Sequence, residues 1–186
     1  FDPGIFIDDD SSVYLYSGFG TSIPAVMTDG KREQKGAYAV QLESDMLTIR
    51  GTQKLVLEYD ASGFEGHEFC EASSMRKIDG QYVFVYSSRV NHELCYAVGN
   101  SPWGPFTFGG TLIDIGDIGL DDIHDENHAH NFLGNTHGGM LHIENNWYIF
   151  YHRHTNRSSY ARQTCAEKLE RKADGKFQQA EVTTQG

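Results

Sequence analysis

Glu71 is the residue whose setting first demands an explanation. It stands in "HEFCEASSMRKIDGQYVFVYSS", residues 67–88, between Cys70 and Ala72 at the head of a strand-like run. A carboxyl group in such a setting loses water, and desolvation favours the protonated form. That is the form a general acid needs near neutral pH. A second carboxylate, Asp2 in "FDPGIFIDDD", occupies a matched place: it precedes Ser11-Ser12 by about as much as Glu71 precedes Asp79-Gly80. Two carboxylates facing one cavity can hydrolyse a glycoside, one protonating the leaving oxygen while the other activates water or attacks the sugar. The competing reading is a structural glutamate paired with Arg76 or Lys77. Glu68 competes for the same role, and since residues 68 and 71 face opposite sides of a strand, only one of them can line a given cavity.

Histidine is the other reactive type present in number. Five of the nine histidines fall between His124 and His142. "HDENHAH", residues 124–130, has the residue types of a metal site, but its spacing matches no zinc signature; an exposed polar loop is the alternative. In "NTHGGMLHIENNWYIFYHR", His137 takes the place that a carboxylate holds in the two earlier segments. The Gly138-Gly139 pair after it would let a ligand or ion approach the backbone, although a hydrogen-bonded core histidine fits as well. The three cysteines, Cys70, Cys95 and Cys165, are far apart and form no CxxC. They read as reduced core residues, with a Cys70–Cys95 cross-link between neighbouring strands left open.

The elements that must position these groups repeat. "DDDSSVYLYSG" (8–18), "KIDGQYVFVYSS" (77–88) and "HIENNWYIFYHR" (142–153) each combine a tight turn, supplied by Ser-Ser, Asp-Gly or Asn-Asn, with an alternating aromatic strand. Their last tyrosines, Tyr16, Tyr86 and Tyr151, mark the period, and Tyr82, Phe84 and Tyr86 form one strand face. The segment 160–175 could pass as a helix, but the alternation that follows favours strands. All-strand units of this length predict blades of a β-propeller. Three fit in 186 residues, whereas a closed ring takes about 4–8. Equivalent first strands line a central channel, which is how Asp2, Glu71 and His137 would meet.

The chain is long enough for one domain with a sizeable core. Its aromatic content, 12%, suits a β protein or a carbohydrate binder. With a formal net charge of −11 and no basic stripe, nucleic acid and anionic membrane are excluded as expected partners. No apolar run approaches the ~20 residues of a membrane span, and no signal-peptide pattern is visible.

"FDPGIFIDDDSSVYLYSG", "EFCEASSMRKIDGQYVFVYSS", "SPWGPF", "NTHGGMLHIENNWYIFYHR" and "ARQTCAEKL" resemble, in order, the successive motifs of glycoside hydrolase family 43. These are five-bladed propeller enzymes that include α-L-arabinofuranosidases, β-xylosidases and endo-arabinanases. The resemblance runs along essentially the whole chain. It implies an inverting glycosidase acting on arabinofuranosyl or xylosyl linkages of plant hemicellulose or pectin, with three carboxylates: a base, a second Asp that tunes the acid, and a Glu as general acid. "DPGIFIDDD" matches the tuning motif, so Asp2 inherits that role; "EASSMRKIDGQY" matches the acid motif, so Glu71 inherits that one. His137 corresponds to the family histidine that helps hold a calcium ion through water in the central channel, and Arg162 to the arginine that reaches the sugar. No organic cofactor is implied. Phe19 and Trp103 are candidate aromatic subsite walls, with turn packing the preferred reading for Trp103.

The family's base motif, an Asp-Pro early in the first blade, has no match upstream of Asp2. Asp2 could be offered as that base, but the "FIDDD" after it fits the tuning motif better. The chain therefore reads as residues 1–186 of a partial propeller covering about three later blades. The expectation is that a preceding segment or a completing chain supplies the base, and that this chain alone turns over little substrate. A non-catalytic carbohydrate-binding propeller and a metal-binding β protein built on His124, His128 and His130 are the alternatives.

Overall fold

The computed structural model describes residues 2–20 and 35–183. Three antiparallel sheets follow one another along the chain. The first contains β1 (Gly4–Ile7), β2 (Val13–Phe19), β3 (Gly36–Leu42) and β4 (Ile49–Glu58). The second contains β5 (Phe69–Ile78), β6 (Gln81–Ser88), β7 (Glu93–Gly99) and β8 (Phe106–Asp114). The third contains β9 (Gly138–Ile143), β10 (Asn146–Thr155) and β11 (Ser158–Leu169), with β10 in the middle. Each sheet is a sequential meander, so each is one propeller blade. The stretch that could have been helical is β11, and no α-helix occurs among the described residues.

The turns differ in detail from their expected residues. Asp79-Gly80 makes a two-residue turn with both φ positive, 52° and 79°, the combination that joins twisted strands without splaying them. The first turn is longer: Asp8 N–H donates to the Ser12 carbonyl, and Ser11 has φ 67°. The third is Glu144-Asn145, since Asn146 already pairs with Ile143; it is not the Asn-Asn pair.

Blades pack face to face, and the alternation along β6 shows how. Tyr82, Phe84 and Tyr86 pack with β2, β3 and β5 in a core between the first two blades. Val83 and Val85 pack with Met140, Ile149 and Tyr151 in a core between the second and third. A central blade thus buries both faces, and β6 is buried from Tyr82 to Ser88 rather than on one face only. Phe84 is inaccessible and stacks on Phe69 and Phe106 with centroids 6.1 and 5.4 Å apart. Each such burial contributes ~1.5–3 kcal/mol.

The three marker tyrosines lie on the second strand of each blade and are all buried. Their hydroxyls donate to different acceptors: Tyr16 to the Pro102 carbonyl of the next blade at 2.6 Å, Tyr86 to the His67 carbonyl at 2.8 Å, and Tyr151 to Glu167 at 3.0 Å. Trp103 packs edge-on against Tyr14 with Lys54 over its ring, which is turn packing. The cysteines are free. Cys70 lies on β5 and Cys95 on β7, with β6 between them, so the expectation that they sit on neighbouring strands is corrected.

Candidate active site

β5 lies against both β1 and β9, which brings the first strands of the three blades together. The approach of β1 is close: a Cβ on Gly4 would lie 2.2 Å from the Ser73 carbonyl oxygen. Asp2 stands just before β1, and with φ 42° it holds a left-handed backbone that a non-glycine residue rarely adopts. His137 stands just before β9. The residue before it is fixed twice, Thr136 N–H donating to the Asn91 carbonyl at 2.9 Å and Thr136 Oγ1 to the His152 carbonyl at 2.7 Å.

Glu71 sits inside β5 at an irregularity. The β5–β6 register shifts between Phe69 and Glu71 and again between Glu71 and Ser74, and Ala72 has φ 64°. A bulge of this kind re-aims a side chain out of the regular alternation. Glu71 is 7% exposed. Its Oε1 lies 2.6 Å from His137 Nε2, close enough for the two groups to share one proton. On the other side of the ring, His137 Nδ1 is 3.7 Å from Asp2 Oδ2. One ligand-type atom from each of Asp2, Glu71 and His137 lies within 4.8 Å of the others. The three residues are therefore in one place, as the matched positions implied.

The alternative partners of Glu71 are occupied elsewhere. Lys77 is paired with Asp8 at 2.7 Å and Asp9 at 2.8 Å, and Arg76 donates to the carbonyls of Met140 and Met75, both at 2.6 Å. Glu68 faces Arg89 at 3.8 Å.

The electrostatics follow from this geometry. The hydrogen bond that His137 donates to the Glu71 carboxylate raises the pKa of His137, with Asp2 adding to the effect and burial opposing it. Burial pushes the Asp2 carboxyl up; His137 opposes this and Glu71 adds to it. Asp2 Oδ2 is buried and has no hydrogen-bond partner.

Two further histidines belong to the same wall. His152 and His154 alternate along β10, with ring centroids of His137 and His152 5.9 Å apart and those of His152 and His154 6.1 Å apart. Burial holds His152 down at about 4, with Arg162 adding to the effect. His154, opposite Arg162 in the β10–β11 register, is also lowered by burial and then by Arg162, and its Nε2 is 2.7 Å from Asn135 Oδ1. Sequence reasoning missed this pair, although the His-x-His spacing in a strand places both on one face. Arg162 lines a cavity of about 490 Å³ together with His154, Asn135, Gly134, His92 and Glu126. Phe19, the last residue of β2, is half-buried opposite Gly36 and is not among the described lining residues of that cavity.

The histidine-rich loop gathers no ligand set. His128 Nδ1 is 2.9 Å from Asp125, and His130 Nδ1 is 3.1 Å from Asp117. Among the described residues, two groups of three bring potential ligand atoms within 4.8 Å, Asp2–Glu71–His137 and His67–Glu93–Cys95, and neither includes His124, His128 or His130.

The chain resembles known proteins in sequence and in fold. A "Xylosidase/arabinosidase" of Thermoclostridium stercorarium is 40% identical over 190 residues, covering 100% of this chain and 38% of that protein. A "Beta-xylosidase" of Xylanibacter ruminicola is 28% identical, covering 94% of this chain and 56% of its own length. Among solved structures, a glycoside hydrolase family 43 arabinoxylan arabinofuranohydrolase from Bacillus subtilis, in complex with cellotetraose, superposes with a TM-score of 0.74 at 27% identity, covering 100% of this chain and 38% of that one. The chain spans about two fifths to just over half the length of these relatives. The model of the glycosyl hydrolases family 43 matches residues 1–177, and the chain belongs to that family.

Proposed function

We propose that this chain is part of a glycosidase that cleaves arabinofuranosyl or xylosyl linkages in plant hemicellulose or pectin with inversion. The observation that carries the reading is the buried Glu71 held at 2.6 Å by His137, with Asp2 on the far side of the same ring. Glu71 is the general acid. The proton held between Glu71 Oε1 and His137 Nε2 in the resting pair moves fully onto Glu71 as it is delivered to the leaving oxygen. Asp2 biases that proton: its negative charge favours a protonated neighbour. Arg162, which lines the cavity, binds sugar hydroxyls. The names of the relatives, xylosidase and arabinosidase, support the substrate class.

The general base comes from outside this chain, from further blades or a completing chain. The outer faces of the first and third blades support this. Ile5 and Ile7 on β1 are 45% and 52% exposed, and Leu141 and Ile143 on β9 are 50% and 40% exposed, each pair on one strand face. The central blade shows what covers such a face: another blade. Residues 1–186 are then the partial propeller portion of the catalytic domain.

The calcium ion implied by the resemblance also enters as a proposal. The buried, unpartnered Asp2 Oδ2 beside His137 Nδ1 fits a hard cation held through water. Its positive charge would help to keep Asp2 ionised.

Glu71→Gln in the full-length protein tests the role of the acid. General acid catalysis is worth ~10²–10⁴-fold, so kcat on an unactivated oligosaccharide falls by that factor. An aryl glycoside whose leaving group needs no proton loses far less, and sugar binding persists. Near-normal turnover of the oligosaccharide by Glu71→Gln would overturn the assignment. If wild-type protein binds sugar but hydrolyses neither substrate, the chain belongs to a carbohydrate-binding propeller instead.

A further inference from the structure

His92 directly precedes β7 and is 6% exposed, yet only one of its ring nitrogens has a hydrogen-bond partner. Nδ1 lies 2.8 Å from Asp114 Oδ2. Asp114, 2% exposed, is itself fixed: its Oδ1 accepts the Gly116 N–H at 2.8 Å and the Ile118 N–H at 3.4 Å. The carboxylate oxygen Asp114 Oδ2 accepts, so the imidazole presents Nδ1–H to it. Nε2 is then left buried with no hydrogen-bond partner. It faces another acceptor, Glu126 Oε1, at 3.5 Å.

Two acceptors facing each other need a cation or a proton between them. His92 and Glu126 line two cavities, the one beside Arg162 and a second of about 490 Å³ whose walls include His67, Glu93, His124 and Asp125. The second cavity is acidic and open to the side chains that flank the pair. A carboxylate holding one ring nitrogen of a histidine while the other points at a cation is the usual way that a ligating histidine is oriented. An imidazole nitrogen with a carboxylate selects a borderline divalent ion such as zinc over magnesium or calcium, which prefer oxygen donors throughout.

We propose that His92 Nε2 and the Glu126 carboxylate bind a divalent transition-metal cation, with Asp114 orienting the imidazole and water completing the coordination shell. The neighbouring group His67–Glu93–Cys95 is a poorer candidate. Glu93 already accepts from Ser88 at 2.6 Å and Thr111 at 3.1 Å and contacts His67 at 2.8 Å. The His92 site shares the cavity lined by Arg162, but Asp2, Glu71 and His137 are not among that cavity's lining residues, so the ion would be a second site and not part of the acid pair. It spans three pieces of chain: the β6–β7 turn, the end of β8, and the 3-10 turn Glu126–His128. A bound ion would pin the long connection that runs on to Thr136 and His137.

The test is calorimetric titration of the full-length, metal-stripped protein with zinc chloride. Expected is a zinc site whose affinity falls at least tenfold in both His92→Gln and Glu126→Gln and is retained in His137→Gln. Glu126 is exposed, so its variant should fold even if the buried His92 substitution does not. The proposal is overturned if wild-type protein binds no zinc, which would leave a proton on Nε2 as the occupant. It is also overturned if Glu126→Gln binds as wild type does, or if the site disappears only in His137→Gln.

Discussion

Replacing His137 with glutamine should cost stability in a way that depends on pH, and the structure fixes the direction. The imidazole lies 2.6 Å from Glu71 Oε1, with side chains 29% and 9% exposed. A hydrogen bond to a charged group is worth ~1.5–3 kcal/mol net, and a neutral one ~1. Glutamine can still donate to Glu71 but cannot carry charge, so the substitution removes the charged part alone, about 1–2 kcal/mol. The folded-state pKa of His137 is raised above its ordinary 6.5, chiefly by the Glu71 hydrogen bond. A raised histidine pKa means that the charged pair's contribution is fully present below the unfolded value and is lost as pH climbs through the folded one. Urea unfolding of wild type and His137→Gln between pH 5.5 and 9.5 should therefore show the largest gap at the acid end, closing to under ~0.5 kcal/mol at the alkaline end. The lower limit keeps ordinary carboxylate titration out of the comparison. A gap that stays constant or widens with pH would refute the charged His137–Glu71 pair and with it the proton shared between them.

Tyr16→Phe removes the hydroxyl that donates to the Pro102 carbonyl at 2.6 Å across the blade boundary. Leaving a buried carbonyl alone costs ~1–3 kcal/mol, measurable as a lower urea midpoint. Tyr151→Phe should cost less, because Glu167 Oε1 keeps the Thr183 N–H at 3.1 Å and Oγ1 at 2.8 Å; equal losses would show that these remaining donors do not compensate. Gly138→Ala would set a Cβ 2.1 Å from the Phe150 carbonyl oxygen. The strained β9–β10 pair should lose ~1–3 kcal/mol and carry the adjacent His137 out of place. Unchanged unfolding and activity would mean that the backbone yields without cost.

Much of this architecture is written in local pattern. Alternation at Tyr82, Phe84 and Tyr86, turn residues such as Asp79-Gly80, and the recurrence of Tyr16, Tyr86 and Tyr151 specify hairpins and a repeating sheet unit, because side-chain period and turn geometry are properties of neighbours in the chain. The matched positions of Asp2, Glu71 and His137 follow from the same repeat. The pattern does not say what a strand's other face will touch. Val83 and Val85 became core only because a third blade packs on the second, and Cys70 and Cys95 were parted by the strand between them.

The chemistry of the site was decided later still, by packing. Glu71 points at His137, 66 residues away, because a bulge breaks the regular alternation of β5 and Ala72 takes a left-handed backbone. No periodic reading forecasts a register shift. His92 is of the same kind. Nothing in its neighbourhood marks it, yet Asp114 claims one nitrogen and burial strips the other of partners. The sequence by itself determined the blades and nominated the carboxylates. Only the tertiary structure decided which protons and charges face each other, because hydrogen bonding and desolvation depend on atoms brought together from distant parts of the chain.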